Sequence, residues 1–348
     1  MNNNFIRKTS AALSLASAPE HAKDAAEFLL SASPIDELIH YLDYNCLTPL
    51  CFENYATLPS DEQMPDLLSR LRASTITQIL ISQSHQAAIQ DTHKALSAAG
   101  IPYVFIKGVA SRLLLYRDPQ LRPAADIDLL IHPQHLDAAI DALEQAGLEN
   151  TPHNENETHE TVLMHGHTEV DLHWHLLRPG RLSDDIEKDF LQKAISSHGL
   201  SVPDPESSLV IQLVHPAYTK YVNSPWAKDI RIIDFLYLIE QFEVDWQALA
   251  DRLSAYKACT AAWCTLTWFL AVSNAQVPAS FMQRIAPSRS RQRYLKKWIL
   301  GGLTQRFYQR RNLMRIAFTL AIQDRYSDSL TATLRYLVDQ ARLSHPKK

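Results

Sequence analysis

Apolar side chains recur at helical spacing through the first hundred residues. In residues 34–42 they occupy positions three or four apart, which is typical of an amphipathic helix. A longer run over residues 67–99 has the same spacing and stops at Gly100, a residue suited to the left-handed position after a helix. The pattern predicts a helical N-terminal region over residues 1–85.

Beyond Gly100, short apolar runs alternate with helical patterns. The runs predict four strands, of which the last two form a hairpin around Gly166: residues 103–106, 126–131, 161–164 and 168–175. Helices are predicted over residues 109–116 and 133–146, each directly after a strand. After Pro179 the pattern indicates helices only.

The predicted fold class is therefore α+β. A small mixed-sheet core over residues 86–200 lies between helical regions at residues 1–85 and 201–348. At 348 residues the chain is long enough for two or three packed units.

Three acids interrupt two of the predicted strands. Asp126 and Asp128 stand among Ile and Leu in the second strand, and Asp171 follows a valine in the last one. Aspartate is depleted in strands, so acids at these positions require a reason. Alternation places Asp126 and Asp128 on one face, and pairing with the other strand brings Asp171 to them. Three carboxylates would repel one another, and Mg²⁺ or Mn²⁺ would neutralise them.

The first predicted strand ends at Lys107-Gly108 and runs directly into a helix. Glycine lets a phosphate approach the backbone, and a helix N-terminus offers free N–H groups. Simple turn geometry also explains such a junction. The Asp-x-Asp pair that follows within about 20 residues favours the phosphate interpretation, because metal-assisted nucleotidyl transfer needs both features.

Charge along the chain is unevenly distributed. The net charge is −4, yet residues 284–315 contain ten Lys or Arg and no Asp or Glu. Such a segment fits RNA or another phosphorylated partner, and it equally fits a solvated helical face. Four cysteines without C-x-x-C spacing suit buried thiols in a reducing compartment, and no apolar run is long enough for membrane insertion. We expect a cytoplasmic protein.

Histidines offer a competing site. Six of them lie close together in the sequence: His153, His159, His165, His167, His173 and His175. Alternation places Asp171, His173 and His175 on one strand face, where histidines of the partner strand could join them to bind zinc. Such a site would make a zinc-dependent hydrolase.

The order of the motifs resembles the polymerase-beta-like nucleotidyltransferase superfamily, and more closely the bacterial uncharacterised nucleotidyltransferase family. The resemblance rests on F-I-K-G at 105–108, R-P-A-A-D-I-D-L-L-I at 122–131 and E-V-D-L-H-W at 169–174. It implies that Asp126 and Asp128 ligate two Mg²⁺ or Mn²⁺ ions. Asp171 would bind the catalytic ion and help take the acceptor proton. The superfamily usually has Gly-Gly or Gly-Ser where this chain has Lys107-Gly108.

In the family, the N–H groups at and after Gly108 would hold the β- and γ-phosphates. Three further side chains are candidates for contact with the nucleotide. Arg122 is a phosphate clamp or an ion-pair partner of Asp126. His173 is a hydrogen-bond donor beside the third acid or a substrate contact. Lys220 reaches the phosphates or pairs with a nearby acid.

The predicted function is Mg²⁺-dependent transfer of a nucleoside monophosphate from an NTP, ATP by default, to a hydroxyl with release of pyrophosphate. The acceptor is a small molecule, a peptide or protein, or RNA. The alternatives are the zinc hydrolase described above and a non-catalytic module that binds a nucleotide or a partner.

Overall fold

The computed structural model describes residues 3–150, 159–178, 180–182, 186–307 and 311–325. Its helices are α1 (Asn3–Ser17), α2 (Ala22–Ala32), α3 (Ile35–Tyr44), α4 (Thr48–Ala56), α5 (Pro65–Ala98), α6 (Lys107–Leu115), α7 (Leu136–Gln145), α8 (Ile186–Gln192), α9 (Pro205–Thr219), α10 (Ile230–Gln241), α11 (Trp246–Ala255), α12 (Cys259–Val272), α13 (Ala279–Arg284), α14 (Arg289–Ile299) and α15 (Arg311–Ile322). Its strands are β1 (Tyr103–Ile106), β2 (Ile127–Ile131), β3 (Glu149–Asn150), β4 (Glu160–His165), β5 (Thr168–His173), β6 (Ile195–Ser197) and β7 (Leu200–Val202).

Five strands form one mixed sheet in the order β1-β2-β5-β4-β3. The central pair β2 and β5 is parallel, and the other pairs are antiparallel. Parallel strands need a crossover, which α7 and the β3–β4 pair supply here. The predicted α+β class with a small mixed sheet and flanking helices is confirmed.

The predicted elements of the core agree with the structure in position. β1 has the predicted bounds, β2 begins at Ile127 rather than one residue earlier, and α6 begins at Lys107. Residues 151–158, which include His153, lie outside the described residues.

The expectation of helices only after Pro179 is wrong. β6 and β7 form a hairpin whose two turn residues, His198 and Gly199, have φ of +51° and +78°. Positive φ at both positions is the requirement of a tight hairpin turn. Strands of three residues are too short to show an alternating pattern, so this hairpin, which contacts β1, left no periodic signal.

Buried apolar side chains form two clusters. The larger one joins α1–α4 to helices of the C-terminal half and includes Trp263, Trp268 and Phe269. The smaller one packs α5 and α7 against the sheet face that carries Ile127, Leu129, Val170 and Leu172. Alternation therefore turns residues 128, 171 and 173 to the opposite face.

Helix α5 spans 34 residues and crosses the predicted boundary at residue 85. The division into regions 1–85, 86–200 and 201–348 remains a prediction. No helix in the described ranges, α5 included, is apolar over a stretch that would suffice to cross a bilayer.

Candidate active site

Strand register brings two of the acids together. Asp128 on β2 lies directly opposite Asp171 on the parallel strand β5, and opposite Ile106 on β1. The next residue after Ile106 is Lys107, so the strand-to-helix corner lies beside the same carboxylate. Neighbouring strands are about 4.8 Å apart, which allows side chains in register to touch.

A third group completes a set of possible metal ligands. One ligating atom each from Asp128, Asp171 and His173 lies within 4.8 Å of the other two. Asp126, immediately before β2, lines the same cleft but is not in this set. The structure thus places all three predicted acids around one cleft, with His173 closer to the central pair than Asp126.

The Lys107 side chain enters this cluster. Its ammonium forms an ion pair with Oδ1 of Asp128 and lies 3.2 Å from Nε2 of His173. Nε2 of His173 donates a 2.9 Å hydrogen bond to the same Asp128 oxygen. On its other side, Nδ1 of His173 is 3.1 Å from Oε2 of Glu160. Both Lys107 and His173 therefore bind the carboxylate of Asp128.

Charge compensation differs among the acids. Burial alone would raise the pKa of Asp128, but Lys107 and His173 outweigh it and hold that pKa well below its usual range. Burial and the negative charges of Asp128 and Asp126 raise the pKa of Asp171 to about 7. The charge of Asp128, and then burial, also raise the pKa of Asp126. Nearby positive charge therefore compensates Asp126 and Asp171 less completely than Asp128.

This imbalance predicts a pH-dependent gain in stability for Asp171→Asn. An acid whose pKa is raised by folding favours the folded state while protonated, and this contribution is lost as the pH rises through the folded value. We expect the metal-free variant to be more stable than the wild type at pH 8, with the difference shrinking steadily towards pH 4. Urea midpoints across this range measure it. If the difference in stability between Asp171→Asn and the wild type did not change with pH, folding would not raise the pKa of Asp171.

Gly108 sits where the corner meets the loop before β2. A Cβ added to Gly108 would lie 2.9 Å from Cβ of Ala124 and 3.7 Å from Nη1 of Arg122. The first distance is shorter than folded proteins tolerate. Glycine at this position therefore lets the start of α6 pack closely against the segment that leads to Asp126.

Gly108→Ala should consequently destabilise the protein by about 1–3 kcal/mol, as overpacking does elsewhere. The matched test is the double variant Gly108→Ala/Ala124→Gly, which removes the opposing Cβ and should recover most of the loss. Thermal unfolding of both single variants and the double variant gives the coupling. Equal losses in Gly108→Ala and the double variant would show that the contact with Ala124 is not the cause.

Of the two roles expected for Arg122, phosphate clamp or ion-pair partner of Asp126, the second is not observed, because Arg122 pairs with another acid. Its guanidinium binds Asp234 through Nε at 2.9 Å and Nη2 at 2.8 Å, rather than pairing with Asp126. Asp234 is fully buried and also accepts hydrogen bonds from Tyr116 and Gln212. The reason is topological: α10 carries Asp234 past the loop that precedes β2, whereas Asp126 points into the cleft. Arg122 thus joins that loop to α10.

Basic side chains line the cleft across from the acids. They come from the end of α9, the following segment and the start of α10: Lys220, Lys228 and Arg231. Lys220 has no acidic ion-pair partner within the described part of the chain. Burial, and then the charges of Arg231 and Lys107, lower its pKa. Such a group gains from a bound anion.

His215 supports one of these cations. Nη1 of Arg231 donates to Nδ1 of His215 at 3.0 Å. Burial, and then the positive charges of Lys107 and Arg231, lower the pKa of His215 well below its ordinary value. A neutral imidazole can accept this hydrogen bond, so His215 fixes the direction of Arg231 without adding charge.

The histidines do not assemble into the alternative site. The register of β4 and β5 pairs Glu160 with His173 at one end and His165 with Thr168 at the other, about 17 Å away at the usual strand rise. His165 contacts Asp91 at 3.1 Å. His167 is exposed in the turn, His175 lies 3.4 Å from Glu187, and His153 lies outside the described residues. Among the described histidines of this set, the rings of His159 and His173 have centroids 6.2 Å apart.

The cleft is also lined by Lys228, Trp226 and Glu160, which the sequence analysis did not single out, and by His159, which it assigned to the zinc alternative. Lys228 and Trp226 line it from the segment between α9 and α10, and Glu160 and His159 line it from the start of β4. A single lysine or tryptophan in an irregular segment has no pattern that distinguishes it from a surface or core residue. Glu160 could have been found, because strand pairing places it opposite His173 once the hairpin is assigned.

Comparison with family models identifies a match over most of this chain. A family model described as "Uncharacterised nucleotidyltransferase" matches residues 31–270. This range contains the sheet, the Lys107-Gly108 corner and all the basic residues that line the cleft. A search of curated proteins finds no match.

Proposed function

Because this chain belongs to the uncharacterised nucleotidyltransferase family, we propose that it transfers a nucleoside monophosphate from an NTP to a hydroxyl acceptor and releases pyrophosphate. The donor is ATP by default, and the reaction requires Mg²⁺ or Mn²⁺. One observation carries the proposal: acids from two adjacent parallel strands share a cleft with a strand-to-helix corner and with several basic side chains.

The residues present fit a divalent metal ion. Neither Asp126 nor Asp171 has a hydrogen-bond or ion-pair partner within the described part of the chain, and both pKa values are raised. Carboxylate oxygens are the ligands that Mg²⁺ and Mn²⁺ prefer. When bound, such an ion would polarise the α-phosphate and the attacking hydroxyl.

The chain's own residues would orient and neutralise the triphosphate. Lys220, Lys228 and Arg231 face the acids across the cleft and would bind the phosphate oxygens. N–H groups at the start of α6, next to Gly108, would hold the β- and γ-phosphates. These contacts would stabilise the negative charge on the phosphate oxygens in the transition state. Such electrostatic stabilisation is the main contribution of a protein to phosphoryl transfer.

In the proposed reaction the acceptor oxygen forms a bond to the α-phosphorus. The bond between the α-phosphorus and the oxygen that bridges to the β-phosphate breaks, and pyrophosphate leaves with that electron pair. Asp171 would accept the proton of the acceptor hydroxyl.

The acceptor is proposed to carry phosphate, with RNA as one candidate. Helix α14 exposes Arg289, Arg293, Lys296 and Lys297, while Leu295, Trp298 and Ile299 face the core. Asn223, in the segment that carries Lys228, donates to the carbonyl of Ile299 at 3.1 Å. The basic face thus belongs to a helix that packs against one wall of the cleft. We place the reaction in the cytoplasm, supported by four free cysteines.

The proposal is tested by incubating the full chain with each α-labelled NTP and Mg²⁺ or Mn²⁺. Host extract fractionated into RNA, protein and small molecules supplies the acceptor. We expect label from one NTP in one fraction, together with stoichiometric pyrophosphate. Mg²⁺-dependent NTP binding without label transfer in any fraction would instead support the non-catalytic module. Transfer that is blocked by a zinc chelator but unaffected by removal of Mg²⁺ and Mn²⁺ would contradict the proposed metal.

A further inference from the structure

Lys107 adopts a backbone conformation that lysine rarely uses. Its φ is +54°, in the left-handed region where a side chain is disfavoured and glycine is not. A glycine here would form the same corner with less strain. Non-glycine residues in this region persist where the surrounding structure holds them, often at functional sites. The Lys107 side chain must therefore offset the strain by what it contacts.

Those contacts are two of the three possible metal ligands. The ammonium pairs with Oδ1 of Asp128 and lies 3.2 Å from Nε2 of His173. The Lys107 and Asp128 side chains are only 14% and 3% exposed, so solvent screens this contact weakly. A divalent ion shared by Asp128 and His173 would have the same neighbours as this ammonium. The Lys107 ammonium and a divalent ion bound to Asp128 and His173 would therefore occupy the same position and exclude each other.

Two other carboxylates in the cleft could bind a further cation. Asp126 and Asp171 have no hydrogen-bond or ion-pair partner among the described residues. Lys107 therefore satisfies Asp128 but leaves the carboxylates on either side of it without a counterion. Asp128 is therefore paired with a lysine of the chain itself, whereas Asp126 and Asp171 are available to a metal ion.

We propose that Lys107 is a resident cation that takes the place of one of the two metal ions expected at this site, so that the protein binds a single divalent ion through Asp126 and Asp171. This inference rests on the proposed function, because it concerns the metal of that reaction. The ammonium supplies positive charge that is covalently attached to the chain and therefore does not dissociate as a bound ion would.

The experiment counts Mn²⁺ ions on the full chain by electron paramagnetic resonance, with Mn²⁺ alone as the probe. We expect one Mn²⁺ per wild-type chain, with the spectrum of an isolated ion. Lys107→Met removes the charge but keeps the length of the side chain. It should bind two Mn²⁺, whose spectrum shows coupling between ions about 4 Å apart. Lys107→Arg keeps the charge and should bind one.

Lys220→Met is the matched control, because Lys220 lines the same cleft and pairs with no carboxylate of the described residues. It should bind one Mn²⁺. Two coupled ions on the wild type, or one ion on a folded Lys107→Met variant, would overturn the inference and leave the proposed function standing. No Mn²⁺ on either the wild type or Lys107→Met would overturn both. If Lys107→Met does not fold, the wild-type count alone decides.

Discussion

Asp171→Asn should abolish nucleotidyl transfer while the protein stays folded. The substitution keeps the shape of the side chain and removes its charge, so the cleft loses both a metal ligand and the proposed base. Loss of several kcal/mol of transition-state stabilisation corresponds to a rate reduction on the order of 10³-fold or more. We expect the loss in kcat, because NTP binding depends mainly on basic groups across the cleft.

The control for this variant is Glu169→Gln on the same strand. Glu169 precedes Asp171 by two residues, is exposed and does not line the cleft. It should retain full activity. Initial rates of pyrophosphate release with saturating NTP measure both variants, and circular dichroism checks the fold. If Asp171→Asn turned over at the wild-type rate, Asp171 would have no role in catalysis, even though it lies in the cleft.

Asp234→Ala should cause the largest loss of stability among single substitutions near the cleft. Asp234 is 0% exposed, and Nη2 of Arg122 binds it at 2.8 Å. Burial alone would lower the pKa of Arg122, and the carboxylate of Asp234 more than compensates for it. Removing the acid would leave a buried guanidinium unpaired, which typically costs about 3–5 kcal/mol.

Two comparisons isolate the cause of this loss. Replacing both partners by apolar residues, as in Arg122→Met/Asp234→Leu, should cost much less, because no charge is left buried. Asp36→Ala removes an exposed ion pair with Arg70, whose side chains are 76% and 52% exposed, and should cost about 0–1 kcal/mol. Urea unfolding gives all three values. A loss in Asp234→Ala no larger than in Asp36→Ala would contradict a buried, coupled pair.

The acids of the site could be predicted because aspartate is rare in buried strands. Aspartate within a buried strand is unfavourable unless something binds it, so Asp128 and Asp171 were visible in the sequence alone. Strand alternation then fixed their face. β1 and the β4–β5 hairpin were predictable for a related reason, since their apolar runs are bounded by glycine, proline and polar residues.

The ion pairs could not be predicted, because they join residues that only the tertiary fold brings together. Arg122 and Asp234 are 112 positions apart, and His173 and Asp128 are 45 apart. Asp126 lies nearer to Arg122 in sequence and was a reasonable partner on that ground. The choice of Asp234 depends on how α10 packs against the loop before β2, which no local pattern encodes.

The basic wall of the cleft was only partly visible. Lys220, at the end of α9, was a candidate for nucleotide contact in the sequence, whereas Lys228 lies in the segment between α9 and α10 without any periodic context. The left-handed backbone of Lys107 was also hidden, because sequence gives lysine no reason to adopt a positive φ.

The most direct test of the central claim is the anomalous diffraction of crystals grown with Mn²⁺ and a non-hydrolysable ATP analogue. We predict manganese density at the carboxylates of Asp126 and Asp171, with the triphosphate between Gly108 and the basic side chains of Lys220 and Arg231. Manganese bound away from these acids, or a triphosphate outside this cleft, would contradict the account.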